Sequence, residues 1–426
     1  MTLALFLSVL LSSIIMGLPV AFALLLSAIA LMIQQDLFSV DILAQALING
    51  VDSFPLLAIP FFLVAGEVMA VGGLSSRIVR LAISLVGHRK GGLGYVAVFT
   101  SVLLAGLSGS AVADAAALVS ILYPMMKKAG YPEGHSVGLL SAGGIIAPVI
   151  PPSLPLIIMG VAGNISIAKL FIGGIVPGLM MGTALMFTWA FLMRSEPLEV
   201  PDKASKEERV AAFRDGIWAL FLPIIIIGGI RFGIFTPTEA AVVAAVYALL
   251  VSTLVYKELS FQLLYKVLVN AGRSTAMVMF LVGCAMVAAW LMTVAQLPQQ
   301  LAVLLGPLIE HPKLLMATIM IIVLCVGMVM DLSPTILILV PLFMPIIKMA
   351  GIDPVYFGLM FVINTCIGLI TPPVGTVLNV VCGVGRVPMS TAVKGVMPFV
   401  AVYVLLLSLF VAFPSIIIVP MRIFIG

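Results

Sequence analysis

The chain has 426 residues, 63% of them hydrophobic and 9% charged, with a formal net charge of +4. Soluble domains carry about 25% charged residues, so this composition excludes a water-soluble globular protein and points to an integral membrane protein. The small, dispersed positive charge forms no basic patch, which excludes a nucleic-acid partner.

Residues 3–33 are apolar without a single charge. A secretory signal has a basic start and a shorter apolar run, so a first transmembrane helix is predicted here, broken around Gly17-Leu18-Pro19. The stretch "DLFSVDILAQALING" (36–50) repeats its apolar residues at helical spacing but is too short to span. It predicts an interfacial arm along the membrane, with a loop of helical propensity as the alternative. Two spans are expected near 52–71 and 73–88. The segment 92–127 is interrupted by "GLSGS". Each of its arms is shorter than the ~20 residues a full crossing needs, which predicts a re-entrant hairpin, two short spans being the alternative. Residues 136–163, interrupted by "APVIPPSLP", suit one helix unwound in its middle, and a closing span follows at 167–193. The stretch 194–216 holds eleven charged residues in twenty-three and is expected as a cytoplasmic loop.

That charged stretch divides the chain, and an internal repeat lies across it. "YPMMKKAGYP" (123–132) resembles "MPIIKMAGID" (344–353), 221 positions later. The same offset pairs Gly106 with Gly327, Pro151-Pro152 with Pro372-Pro373, Pro177 with Pro398, Ser39 with Ser260 and Asn49 with Asn270. Apolar matches arise by chance; Pro, Gly, Lys and Asn at one fixed offset do not. The second half therefore repeats the unit: a broken apolar helix over 220–256, an arm at 258–272, and spans near 273–293 and 296–309. A hairpin at 313–348 follows, interrupted by "MDLSPT", then a broken helix at 356–384 interrupted by "ITPPVGT", and a closing span at 390–412. The expected organisation is a first repeat over 1–193, a linker over 194–216 and a second repeat over 217–426. Each unit crosses an odd number of times whichever way the hairpins are read, so the second copy enters the membrane inverted. The expected fold is an all-α integral membrane protein built from two inverted-topology repeats with re-entrant hairpins and discontinuous helices, an architecture recurrent in secondary transporters. Basic residues at 88–90, 127–128 and in the linker fall on one side, which the positive-inside rule makes cytoplasmic.

Irregular backbone at membrane depth is tolerated only where it is buried in protein or lines a wet cavity. Four breaks in matching places free helix C-terminal carbonyls for a hard monovalent cation and N-terminal N–H groups for an anion. One sodium site is expected from Gly106, Ser108, Gly109 and Ser110 with Pro148, Pro151 and Ser153. A second is expected from Gly327, Asp331 and Ser333 with Gly368, Thr371, Pro372 and Gly375. A substrate between the tips would meet Ser108, Pro152, Asn164, Thr335, Asn364, Pro373, Thr376 or Asn379. Glu67, Asp114, Glu239 and Arg231 also lie in apolar context. Asp114 is read as a brace for the returning helix and Glu239 in "FTPTEA" as part of a helix start. Glu67 and Arg231 are read as structural charges. A proton carried on one of the carboxylates is the rival to sodium coupling.

No enzyme signature is present: no P-loop, no HExxH, no GxSxG. The serines of "GLSGSA" lack a basic partner in a neighbouring span. The four cysteines sit in apolar stretches without CxxC spacing and read as packing, so no metal other than sodium and no organic cofactor is expected.

"GIFTPTEAA", "GLSGSAVADAAAL", "YPMMKKAGYP" and "APVIPPSLPLIIMG" together resemble the large membrane subunit of the tripartite ATP-independent periplasmic (TRAP) transporters, the DctM family, over the whole chain. The resemblance implies a subunit of the bacterial inner membrane that works with a small four-helix membrane subunit and a periplasmic substrate-binding protein. It implies sodium-driven import of a small organic acid, such as a sialic acid or a C4-dicarboxylate, by an elevator motion of the hairpin-bearing domain. As the sequence opens on an apolar helix, a large subunit unfused to the small one is expected. The alternatives are a proton-coupled organic anion transporter and a channel-like membrane protein.

Overall fold

A computed structural model describes residues 2–198, 200 and 202–425, apart from the side chains of Leu107, Ser108 and Ile425. It is all-helical, with no strand among the described residues. Among them, seven helices are long and apolar enough to cross a membrane.

The N-terminal run is not one interrupted helix. α1 (Thr2–Ile15) and α2 (Val20–Gln34) pack against each other as a hairpin. Gly17 adopts a φ of 83°, and the N–H-less Pro19 begins the next helix, so the chain reverses rather than kinks. The arm α3 (Val40–Val51) is N-capped by Ser39 and ends before a 3₁₀ turn at Phe54–Leu57. The span α4 (Ala58–Val71) follows. The second span expected, near 73–88, is instead the short α5 (Leu74–Val86), closed off by left-handed Gly73 and by Gly87 and carrying Arg77 and Arg80. Thirteen residues rise about 20 Å, too little to cross. Next come the hairpin arms α6 (Gly92–Ser108) and α7 (Ala111–Lys128), the two pieces of a broken helix, α8 (Glu133–Gly144) and α9 (Leu154–Gly163), and the closing span α10 (Ile167–Leu192).

The charged stretch is loop only in its first half. Ser205 and Glu208 form a reciprocal capping box, and α11 (Lys206–Arg231) starts there, its first turns polar and the remainder apolar. Then α12 (Pro237–Leu250) returns against α11, ending in a π-helical turn at Val251–Val255. The second arm and its span are one 34-residue helix, α13 (Phe261–Val294). The cause is in the sequence: Pro55, which denies the first half this continuity, is matched by Ala276 at the repeat offset. The expected span near 296–309 is two short pieces, α14 (Leu297–Leu304) and α15 (Gly306–Ile309), separated before the Gly306-Pro307 step. The hairpin α16 (Pro312–Gly327) and α17 (Leu332–Met349) follows, then the broken helix α18 (Pro354–Gly368) and α19 (Thr376–Gly385), and α20 (Met389–Ala412). A C-terminal helix, α21 (Ser415–Ile425), has no counterpart in the first half and packs on α10.

The halves interlock. Helix α7 packs on α19 and α17 on α9, while α8 packs on α20 and α18 on α10. Tyr403 Oη pins the α8–α20 crossing by donating to the Ala142 carbonyl at 2.9 Å, and within the second half Tyr356 Oη ties α18 to α20 through the Phe410 carbonyl at 3.0 Å. In a membrane such hydrogen bonds and close packing, rather than hydrophobic burial, hold helices together. Helices α1–α5 and α11–α15 form a frame around this core. The frame is tied across the halves where α3 packs on α13, and where Arg77 pairs with Glu258 at 2.8 Å beneath the Tyr256 ring.

Candidate functional site

The first hairpin turns at Gly109, whose φ of 61° ends α6 at little steric cost for a residue without Cβ. Ser110 is extended and caps α7, accepting from the Ala113 N–H at 3.3 Å. Asp114, in the first turn of α7, is buried. Facing this tip, α8 unwinds after Gly144 into turns, passes the cis Pro151-Pro152 bond and restarts at Leu154. The two irregular segments touch. A Cβ on Gly109 would lie 3.0 Å from Ser153 Cα, and one on Gly106 would lie 3.2 Å from the Pro151 carbonyl oxygen. The Ser108 side chain, expected in both the sodium and substrate sites, lies outside the described residues.

In the second half the approach is tighter. A Cβ on Gly368 would lie 2.5 Å from the Gly327 carbonyl carbon, so these two backbones meet with nothing between them. The Gly375 N–H donates to the Met328 carbonyl at 3.2 Å, joining the break directly to the hairpin tip. Asp331 caps α17, its Oδ1 accepting from the Leu332 N–H at 2.8 Å, and Ser333 lies two residues on, partly exposed. Pro372 and Pro373 share the second cis bond.

The hydroxyls at these places share an orientation. Ser153 donates to the Pro148 carbonyl at 2.6 Å, Thr371 to that of Ile367 at 2.6 Å, and Thr335 to that of Asp331 at 2.7 Å. A hydroxyl whose proton is committed to a carbonyl presents its lone pairs elsewhere, which suits a cation and not an anion. Among the described residues no group of three or more His, Cys, Asp or Glu gathers in one place. The donor set is therefore carbonyl, hydroxyl and at most one carboxylate per tip, the chemistry of a hard cation. Two buried polar atoms beside the second break have no hydrogen-bond partner, Thr376 Oγ1 and Asn364 Oδ1. The Asn364 amide N–H₂ is occupied by the Met320 carbonyl. Orphaned buried acceptors are rare and call for an explanation such as a ligand or ion. Asn379 donates to the Val374 carbonyl at 2.9 Å and stabilises the break.

Four of the remaining residues lie away from the tips. Asn164 ends α9, about 15 Å from the break by helix rise, and lines a cavity of about 410 Å³ with Ser53, Ser166 and Thr236. Glu239 forms a capping box with Thr236 at the start of α12. Arg231 ends α11 and lies over the Phe232 and Phe424 rings at 5.8 and 5.1 Å. Glu67 is a partly buried residue of the frame helix α4. Two contacts at the tips have weaker sequence signals. The Thr365 carbonyl lies 3.2 Å from where a Gly327 Cβ would be, and the Pro223 ring of α11 lies 3.3 Å from the Gly106 Cβ position. The Asn-Thr pair at 364–365 and the lone mid-helix Pro223 were the available clues.

Comparison with known proteins gives this arrangement a context. The YdaH transporter of Alcanivorax borkumensis shares the fold at a TM-score of 0.65 and 15% identity, over 88% of this chain and 89% of that one. The 2,3-diketo-L-gulonate TRAP transporter large permease protein of Escherichia coli is 55% identical over 99% of both chains. The sialic acid TRAP transporter large permease protein of Vibrio cholerae is 38% identical over 96% of both. The C4-dicarboxylate TRAP transporter large permease protein of Pseudomonas aeruginosa is 39% identical, over 89% of this chain and 88% of that one. The profile of the tripartite ATP-independent periplasmic transporter family, DctM component, matches residues 7–416. The chain belongs to this family and is a multi-pass membrane transporter permease, not an enzyme.

Proposed function

We propose that the chain imports a small organic carboxylate across the bacterial inner membrane, driven by sodium bound at the two hairpin tips. The observation that carries this reading is the paired geometry: each tip is packed, backbone against backbone, on a proline break of the same half. Such a pairing gives two equivalent sites at the repeat interface, where secondary transporters bind coupling ions and substrate. Counted as crossings in the second half are α11, α12 with its π-helical turn, α13, α18–α19 together and α20, five elements, and the repeat carries the same number into the first half. An odd count makes the second copy inverted and the hairpins re-entrant from opposite sides. The hairpins and broken helices form the moving domain, and α1–α5 with α11–α15 the scaffold it slides against. The relatives named for 2,3-diketo-L-gulonate, sialic acid and C4-dicarboxylates all carry carboxylates, which supports an organic acid as cargo. At 55% identity, a sugar acid is the first substrate to test. The small membrane subunit and the periplasmic binding protein complete the transporter.

The test is uptake of radiolabelled 2,3-diketo-L-gulonate and succinate by proteoliposomes holding the permease with its small subunit, with and without the binding protein. Accumulation is expected only with an inward sodium gradient and the binding protein. Accumulation driven equally by a proton gradient, or without the binding protein, contradicts the proposal.

A further inference from the structure

The base of the second hairpin encloses a cavity of about 580 Å³ between α16, α18, α20 and α21, within the range of small-molecule pockets. Its floor is apolar, with Met316, Ile352, Tyr356, Val411 and Ile418, and its mouth carries Glu310, His311, Lys313 and Asp353. None of its lining belongs to the tips.

In the first half the chain packs on itself on the α10 side of the hairpin base, and the cavity there, about 840 Å³, opens instead between Tyr131, α5 and α11. Tyr131 stacks on Trp189, ring centroids 6.0 Å apart and nearly parallel at 8°. Each aromatic keeps its polar end on backbone, with Trp189 Nε1 donating to the Gly91 carbonyl at 2.8 Å and Tyr131 Oη accepting from the Leu93 N–H. The repeat offset turns Tyr131 into Ile352 and Trp189 into Phe410. The second half thus loses one ring and both polar ends, and Ile352, where the first half has Tyr131, lines the cavity while Phe410 is buried beside it.

The occupant must supply an apolar body and a polar head bearing both charges. Asp353 is already committed, its Oδ1 accepting from the Val355 and Tyr356 N–H groups. Glu310 and Lys313 are exposed, and neither takes part in an ion pair among the described residues. The hairpin base is also where the apolar helices end, so the mouth faces the headgroup layer. We propose that this cavity holds one acyl chain of a zwitterionic phospholipid, its ammonium on Glu310 and its phosphate on Lys313. Phosphatidylethanolamine is the headgroup that fits. A purely anionic headgroup would satisfy Lys313 and leave Glu310 facing negative charge. Apart from Glu310, which ends α15, the lining comes from α16, the 351–353 turn, α18, α20 and α21, so the lipid's acyl chain stays with the hairpin core beside Ile352.

Native mass spectrometry of the purified full chain, delipidated and then given phosphatidylethanolamine or phosphatidylglycerol of matched chains, tests this. One tightly held phosphatidylethanolamine is expected, retained at least tenfold better than phosphatidylglycerol. I352Y, which restores the first half's residue, is expected to lose that lipid while keeping the thermal unfolding midpoint. The double variant Glu310→Gln with Lys313→Gln should erase the headgroup preference. Val411→Phe fills the cavity from another helix and serves if I352Y fails to fold. Equal retention of the two lipids, no retained lipid, or undiminished retention in both filling variants overturns the proposal.

Discussion

The two hairpin tips follow one plan and differ in how each is held. The first turns on left-handed Gly109 and offers serine hydroxyls, with Gly109 close against Ser153 and Gly106 against the Pro151 carbonyl. In the second, Gly327 and Gly368 meet backbone to backbone, Gly375 donates a hydrogen bond across the gap, and a carboxylate, Asp331, stands where the first has Ser110. Both residues cap the returning helix. The difference teaches that duplication preserved the cap and changed its charge, so a site in the second half adds a full negative charge to its carbonyl donors. The arms differ in the same fashion, since the first half has Pro55 and Pro60 where the second has Ala276 and Leu281, and arm and span are two helices in the one and a single helix in the other.

The sharpest way to break this contrast is Ala276→Pro, which should impose the first half's break on α13. An interior proline costs about 3 kcal/mol or more, so a large fall in unfolding midpoint is expected, whereas Pro55→Ala should be tolerated. Next, Gly368→Ala has no room at 2.5 Å from the facing backbone. It should cost about 1–3 kcal/mol by overpacking and abolish uptake. Gly109→Ala at a φ of 61° should cost about 1–2 kcal/mol, and the first tip should lose less activity than the second. Asp331→Asn separates charge from capping, because Asn caps as well as Asp. It should leave the unfolding midpoint in place and raise the sodium concentration for half-maximal uptake about tenfold, equivalent to ~1.4 kcal/mol. Ser110→Ala should instead cost about 1 kcal/mol of stability through the lost cap.

The smallest effect expected is at the base of the first hairpin. Glu133 accepts from Tyr123 and pairs with Lys127 at 3.3 Å, and these contacts hold its carboxyl below the ordinary carboxylate range. A depressed pKa stabilises the fold above the usual carboxylate pKa, and the gain is lost as pH falls through the depressed value. The pair is exposed, so its worth is at most about 1 kcal/mol. The difference in unfolding midpoint between wild type and Glu133→Gln should be measurable at pH 7 and shrink as the pH falls through the lowered carboxyl pKa.

Much of this fold was legible because the signal was discrete. Pro151-Pro152, Pro372-Pro373 and the glycines at the tips mark breaks that no apolar periodicity can hide, and the offset of 221 made each half corroborate the other. The hairpins α6–α7 and α16–α17 and the broken helices lie where that spacing put them. Hydropathy alone does not mark where spans end. Residues 73–88 are apolar enough to suggest a crossing, but Gly73 and Gly87 trim them to thirteen residues. The N-terminal run read as one helix because a reversal and a kink leave the same Gly-Leu-Pro mark; only packing tells them apart. At the site, backbone carbonyls carry no sequence signal at all. The Met328 carbonyl at the second tip is therefore silent in the sequence and the Thr365 carbonyl is marked only by its polar neighbourhood, whereas Ser153 and Thr371 announce themselves by side chain. Polarity alone places Asn164 with the substrate residues, and α9 sets it a full helix length from the break.

The central claim, that the tips bind sodium and do so unequally, is tested most directly by thermal unfolding of the purified chain titrated with sodium, potassium and choline chlorides at constant ionic strength. A ligand that binds only the native state raises the midpoint by mass action. The account predicts a rise with sodium alone, strongly reduced in Asp331→Asn and only partly reduced in Ser110→Ala. An equal rise with potassium, or an unchanged sodium response in both variants, would contradict it.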